Sequence, residues 1–329
     1  MKYRLLGNTG VKVSTICLGT ATFGVAPTAE GTDRLVAEAL DLGINFVDTA
    51  DVYGNTPVFD RPGAPSAIER EPAEQLLGRA LRGRRGDVIL ATKSNGMVGH
   101  DVNDRGLSRR HIFRQVEVSL RRLETDYIDL YYAHDPDPGT PLEETLAAYD
   151  DLIRQGKIRY FGLSNHPAWE LVQALWIADD RRQRPPATAQ VKYNLIDRRA
   201  ESELAPACER FGVAIVPYAP LHGGLLADLR VLDRGTHGDQ RFGGPGFVES
   251  EIAIARAVDA YSREWNLEPY QLSLAWLLSR RSVASVIVGA EDSDELRANA
   301  SAADLELDAT QLQQLTDLAD GSAAFPAIS

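Results

Sequence analysis

Four residues have types and spacings that suggest joint chemistry. Asp48 and Tyr53 lie in FVDTADVYG (46–54), Lys93 in DVILATKS (87–94) and His134 in YIDLYYAHD (127–135). Each closes or closely follows a short apolar run. A free tyrosine has a pKa of about 10, too high for efficient proton transfer at neutral pH. A lysine ammonium beside the phenol would favour the phenolate and lower that value. An aspartate beside the lysine would keep it charged and in place. A histidine across the pocket would orient a substrate oxygen. Together they form a general acid that protonates an alkoxide as hydride arrives. Singly, each has a plainer reading. Asp48 reads as a cap, Tyr53 as packing and His134 as a satisfied core histidine. Lys93 reads as a surface lysine or an imine-forming amine.

The elements that must hold these residues are legible as alternating apolar runs and helical patterns. Strands are expected over 14–19, 44–49, 87–94, 127–135, 159–165, 188–195, 213–221 and 285–290. Between them, helical periodicity runs through 32–43, 72–83, 108–123, 141–157, 168–182 and 201–211, with a further helix over 294–300. Ser108 is the expected cap of its helix. The strands are near-continuous apolar runs, as in a parallel sheet covered on both faces. Eight such units predict an α/β fold, a (β/α)8 TIM barrel, over residues 1–329 as one domain. Residues 2–13 read as an N-terminal β-hairpin that plugs the barrel bottom, and 309–320 as an extra C-terminal helix.

In such a barrel the active site lies at the C-terminal strand ends. Besides the four residues above, those ends carry Gly19-Thr20, Asp135, Ser164-Asn165, Gln190, Tyr218 and Gly289. Burying so many polar groups without function would be costly. The chain has 329 residues, 35 Lys plus Arg, 47 Asp plus Glu and a net charge of -12, so nucleic acid is an unfavourable partner. With two cysteines, Cys17 and Cys208, no disulfide framework is expected. No stretch reads as a signal peptide or membrane span, so a cytoplasmic protein is expected. His100, His111, His166, His222 and His237 lack metal-ligand spacing, and no metal is expected.

The ordered motifs LGNTGVKVSTICLGTATFG (6–24), GINFVDTADVYG (43–54), ILATK (89–93), SLRRLETDYIDLYYAHDPD (119–137), GKIRYFGLSN (156–165), AQVKYNL (189–195), VPYAPL (216–221) and VIVGA with Asn299 resemble the aldo-keto reductases over essentially the full chain. The resemblance implies a catalytic tetrad of Asp48, Tyr53, Lys93 and His134 acting on aldehydes, ketones and alcohols. Some relatives that reduce steroid double bonds carry glutamate in place of the histidine, so His134 favours carbonyl chemistry. It implies a nicotinamide dinucleotide, NADP(H) or NAD(H), bound without a Rossmann fold. Ser164, Asn165 and Gln190 would hold the carboxamide, with Gly19, Thr20 and Asp48 also at the cofactor. Tyr218 would stack on the nicotinamide. The turn with Ala219, Pro220, Leu221, Gly223 and Leu225 would wrap the pyrophosphate. Gly289, Ala290, Glu291, Glu295 and Asn299 would take the adenosine end.

Two departures from the family pattern shape the expectations. Where NADP-using relatives carry a basic residue, GAEDSDEL (289–296) offers Glu291 and Glu295, which favours NAD(H) or dual use. The stretch 55–71 is long and carries Pro57, Pro62 and Pro65, predicting a shaped loop at the substrate rim. Phe23, Phe59 and Trp169 are candidate aromatic walls. Two other readings stay open: a cofactor-binding regulatory subunit of the potassium-channel β type, and a Lys93 Schiff-base aldolase or isomerase. The physiological substrate and the oligomeric state are not set by these motifs.

Overall fold

A computed structural model describes residues 1–60, 63–234 and 246–319. Strands β1 (Tyr3–Leu5) and β2 (Lys12–Ser14) form an antiparallel hairpin. The parallel strands follow as β3 (Ile16–Gly19), β4 (Phe46–Asp48), β5 (Ile89–Ser94), β6 (Ile128–Ala133), β7 (Ile158–Ser164), β8 (Thr188–Lys192), β9 (Ala214–Tyr218) and β10 (Val286–Val288). They lie in the order β10-β3-β4-β5-β6-β7-β8-β9. Around the seam, Ile215 of β9 donates to Ser282 O at 2.7 Å and accepts from Ala284 N at 3.0 Å. The sheet thus curls into a nearly closed (β/α)8 barrel, as the alternation predicts.

The helices are α1 (Ala29–Asp41), α2 (Ala73–Ala80), α3 (Arg109–Arg122), α4 (Leu142–Arg154), α5 (Ala168–Asp180), α6 (Leu204–Phe211), α7 (Glu249–Trp265), α8 (Pro269–Leu278), α9 (Ser293–Ser301) and α10 (Ala309–Asp317). Ser108 caps α3 as expected, accepting from His111 N. The extra C-terminal helix is present as α10; residue 320 lies outside the described residues. Helices α7 and α8 stand between β9 and β10, where the sequence reading assigns none. In α8 every residue from Leu272 to Leu278 is buried, so it carries no polar face to reveal its period. Among the described residues, no helix is long and apolar enough to cross a membrane.

Strand alternation sorts the side chains into two cores. Outward residues such as Leu18, Val47, Leu90 and Tyr131 pack under the helices. Inward residues Cys17, Phe46, Ala91, Leu130, Tyr132 and Val216 fill the barrel, joined by Leu6 and Val13 of the hairpin segment. The hairpin therefore closes the bottom with apolar side chains. Two residues further along the same inward rows come Asp48 after Phe46 and Lys93 after Ala91. The period that builds the apolar floor also delivers the polar ceiling.

Gly162 of β7 shows how tight this interior is. A Cβ there would stand 2.2 Å from Thr188 Oγ1 and 2.5 Å from a ring carbon of Tyr132. Gly162→Ala is expected to cost about 1–3 kcal/mol through overpacking. A lower urea midpoint with an unchanged slope checks this.

Candidate active site

The centre of the site is the fully buried Lys93 ammonium. An ammonium has three N–H donors, and all three have acceptors here. One goes to Asp48 Oδ1 in a short ion pair, one to Thr49 O at 2.8 Å and one to Tyr53 Oη at 3.3 Å. The second Asp48 oxygen accepts from Gln190 Nε2 at 2.8 Å. Strands β4, β5 and β8 thus meet at one carboxylate. Burial works against the Lys93 charge, but the charges and hydrogen bonds of Asp48 and Tyr53 outweigh it, and its pKa stands above the ordinary value. An imine-forming lysine needs the opposite, a neutral amine.

Tyr53 follows β4 by five residues and is half-buried. The Lys93 ammonium lies 4.6 Å from its ring centroid. The His134 ring meets it edge-on at 5.8 Å. The expected lowering of the Tyr53 pKa is not found. Burial raises it, Lys93 pulls it back, and the net value stays above that of free tyrosine. The phenol is therefore protonated at neutral pH, the state a proton donor requires. His134 sits just beyond β6, its backbone N–H bonded to Ser94 O at 2.8 Å. Burial, aided by the Lys93 charge, pushes its pKa down to about 3. It is a neutral imidazole, able to donate to or accept from a substrate oxygen without adding charge.

Asn165 ties the neighbouring strand ends together from a left-handed backbone, φ 62°. Its amide donates to His134 O at 3.1 Å and Asp135 Oδ1 at 2.8 Å, and accepts from Tyr218 Oη at 3.0 Å. Its backbone N–H bonds Gln190 O at 2.9 Å. So Asn165 and Gln190, expected to serve a cofactor, also brace the site itself. The Gln190 and Thr49 contacts to the tetrad were not legible in the sequence, because neither residue is adjacent in chain to its partner. Ser164 and Thr20 are buried at strand ends, and their hydroxyls have no hydrogen-bond partner among the described residues. Such orphaned groups suit a polar ligand.

After β9 the chain turns through left-handed backbone at Ala219, His222, Gly223 and Gly224. Asn194 Nδ2 holds Ala219 O at 2.9 Å and Glu251 receives the His222 ring at 3.0 Å. Pro220 and Leu225 are buried, Leu221 is half-buried, and Gly223 is exposed. Beyond β10, Gly289 is exposed, Ala290 and Asn299 are buried, and Asp292 caps α9. Glu295 accepts from Glu291 N at 2.9 Å. Burial raises its pKa, and the charges of Glu291 and Asp292 act in the same direction. Arg297, the cation of this strip, is engaged by Glu38 at 2.7 Å and by Asp294 at 2.7 Å.

The expected aromatic walls fare unevenly. Phe23 has no exposed surface and packs in the helix-facing core, so it offers no face to a substrate. Phe59 ends a 3-10 turn, Pro57–Phe59, and is half-buried. Trp169 is 64% exposed on the first turn of α5. The described parts of the 55–71 stretch, 55–60 and 63–71, hold turns and one 3-10 helix but no α-helix, as Pro57 and Pro65 predict; Pro62 lies outside the described residues.

The geometry agrees with the similarity of the whole chain to known proteins. The uncharacterized oxidoreductase YrpG of Bacillus subtilis is 36% identical over 98% of this chain and 97% of its own length. A probable voltage-gated potassium channel subunit beta of Oryza sativa is 31% identical over 93% of this chain and 92% of its own. An aryl-alcohol dehydrogenase of Pestalotiopsis microspora is 29% identical over 99% of this chain and 84% of its own. The model of the aldo/keto reductase family matches residues 15–320. A buried Asp-Lys pair with tyrosine and histidine at one barrel mouth, a family match across nearly the whole chain and relatives named as oxidoreductases lead to one conclusion: this chain is an oxidoreductase of the aldo/keto reductase family.

Proposed function

We propose that this protein interconverts a carbonyl compound and its alcohol with a nicotinamide dinucleotide, using Tyr53 as the proton donor and acceptor. The observation that carries the reading is the fully satisfied Lys93 ammonium, which links Asp48 to the Tyr53 hydroxyl. Bound cofactor supplies or takes the hydride. In reduction, Tyr53 donates its proton to the oxygen of the carbonyl as negative charge grows there. Lys93 stabilises the phenolate left behind. Asp48, steadied by Gln190, keeps Lys93 charged. Neutral His134 orients the carbonyl oxygen across from Tyr53.

Ser164, Thr20, Tyr218 and the left-handed turn from Ala219 are the residues suited to hold the cofactor. Toward the adenosine end, Glu291 and Glu295 present carboxyl groups, and Arg297 is already paired among the described residues. A 2′-phosphate would meet repulsion there, whereas a ribose hydroxyl would find acceptors. This favours NAD(H) or use of both cofactors. The aryl-alcohol dehydrogenase relative puts aromatic aldehydes first among substrates to try, followed by small aliphatic carbonyls and sugars. A purely cofactor-binding role is the second reading, favoured by the relative named as a channel subunit.

Tyr53→Phe is expected to lower kcat/KM for carbonyl reduction by about 10²–10⁴-fold while leaving cofactor affinity within twofold. Single-turnover oxidation of bound reduced cofactor across a carbonyl panel checks this. No oxidation by any member with the wild-type protein would favour the binding role. The KM for NADH is expected to be equal to or below that for NADPH. A strong NADPH preference would sink the acidic-strip argument. The pH profile follows from the two shifts. Tyr53 keeps its proton until above the ordinary tyrosine pKa, and His134 stays neutral down to about 3. Reduction is therefore expected to be flat across neutral pH. Alcohol oxidation, which needs the phenolate, should rise with pH.

A further inference from the structure

We propose that Arg70 is a positioning residue that fixes the segment following Tyr53 as one wall of the substrate mouth and so limits the size of carbonyl admitted; this rests on the carbonyl-reduction reading above. The Arg70 side chain is only 1% exposed, although it belongs to a loop. Its Nε donates to Gly54 O at 2.6 Å and its Nη2 to Thr56 O at 2.9 Å. Its Nη1 donates to Pro65 O at 2.7 Å and to Asp60 Oδ1 at 2.6 Å. One planar guanidinium thus gathers acceptors from 54–60 and from Pro65.

The clamp begins beside the catalytic tyrosine. Gly54 is the next residue, with φ 89° and no room for a Cβ, which would stand 2.6 Å from Ala73 N. Ala73 N in turn bonds Tyr53 O at 2.8 Å. The chain leaving Tyr53 is therefore held by the start of α2 on one side and by Arg70 on the other. The Arg70 stem also lies against Gly24, where a Cβ would meet its Cδ at 3.4 Å. The loop after β4 is thereby packed onto the loop after β3, at the same end of the barrel as the tetrad.

Arg70 suits this task because its donors spread in a fixed plane, which a lysine ammonium cannot reproduce. Without it, the carbonyls of Gly54, Thr56 and Pro65 lose their shared donor. A segment rooted next to the proton donor stands within a few residues of the reacting carbonyl. A small aldehyde reaches Tyr53 without touching such a wall. A bulky one must fit against it. A pinned wall excludes; a freed wall yields.

The test compares the wild-type protein with Arg70→Ala, Arg70→Lys and Asp60→Asn. Asp60 is half-exposed, so its substitution leaves the core intact even if Arg70→Ala fails to fold. Hydrogen exchange read by mass spectrometry over 54–60 reports the clamp directly, independent of turnover. The expected result is exchange there faster by about tenfold or more in Arg70→Ala, less in the other two, with the barrel strands unchanged. The kinetic arm uses acetaldehyde, benzaldehyde and naphthaldehyde. The naphthaldehyde-to-acetaldehyde ratio of kcat/KM is expected to rise about tenfold in Arg70→Ala, on the scale of pocket-size discrimination, and in the same direction in Arg70→Lys. Unchanged exchange in all soluble variants overturns the clamp. A ratio that stays level or falls in Arg70→Ala and Arg70→Lys overturns the size limit, whatever the loss of activity. If the wild-type protein reduces no carbonyl, the carbonyl-reduction reading fails and the size limit with it, while the exchange result still decides the clamp.

Discussion

The buried ion pair between Lys93 and Asp48 is the constraint to which the upper half of the barrel answers. Taking two charges out of water costs several kcal/mol for each ion after relaxation, on the order that only near-complete hydrogen bonding can offset. Here the ammonium has three acceptors and the carboxylate has two donors. Meeting those demands fixes the register of β4 against β5, where Asp48 pairs with Ala91 one row below Lys93. It also requires β8, across the barrel, to present Gln190 at the same level. A one-residue slip in any of these strands would turn the polar group toward the helices and leave its partner unmatched. The chemistry and the strand register are therefore secured by the same contacts.

Much of this was legible in the sequence because parallel barrels impose a simple rule. Apolar runs ending in Asp48, Lys93 and His134 mark both the strands and the end that carries polar groups. The barrel, the hairpin plug and the capped α3 follow from the same patterns. What was not legible depends on burial or on distance in the chain. The direction of the Tyr53 shift is a contest between desolvation and the Lys93 charge, and sequence reveals the charge but not the depth. Gln190 reaches Asp48 across 142 residues of chain. Helix α8 is buried along its last seven residues and shows no period to read. Phe23 is a candidate wall in the sequence, yet its loop folds it back into the core, and sequence does not show that depth. Arg70 carried no signal at all, since a loop arginine reads as solvated until its carbonyl partners converge on it.

The two ends of the proposed dinucleotide path are built on different principles. Near the tetrad, side chains are cross-braced before any ligand arrives: Asn165 joins the ends of β6, β8 and β9. Toward α9, acidic side chains cap backbone N–H groups and hold the loop in shape. A rigid end favours a fixed geometry at the reacting carbon. An end shaped by local caps is freer to change its charge without disturbing the barrel.

One of the acceptors at Lys93 is a main-chain oxygen, that of Thr49. Substituting the side chain at position 49 does not remove it. The three anchors of the ammonium therefore differ in mutational vulnerability: Asp48 and Tyr53 can each be deleted by a single codon change, whereas the third belongs to the main chain just beyond β4. Loss of Tyr53 would leave the ammonium its ion pair and this oxygen, whereas loss of Asp48 would leave burial working against the charge. The cation therefore tolerates exchange of the phenol beside it more readily than exchange of its counter-ion.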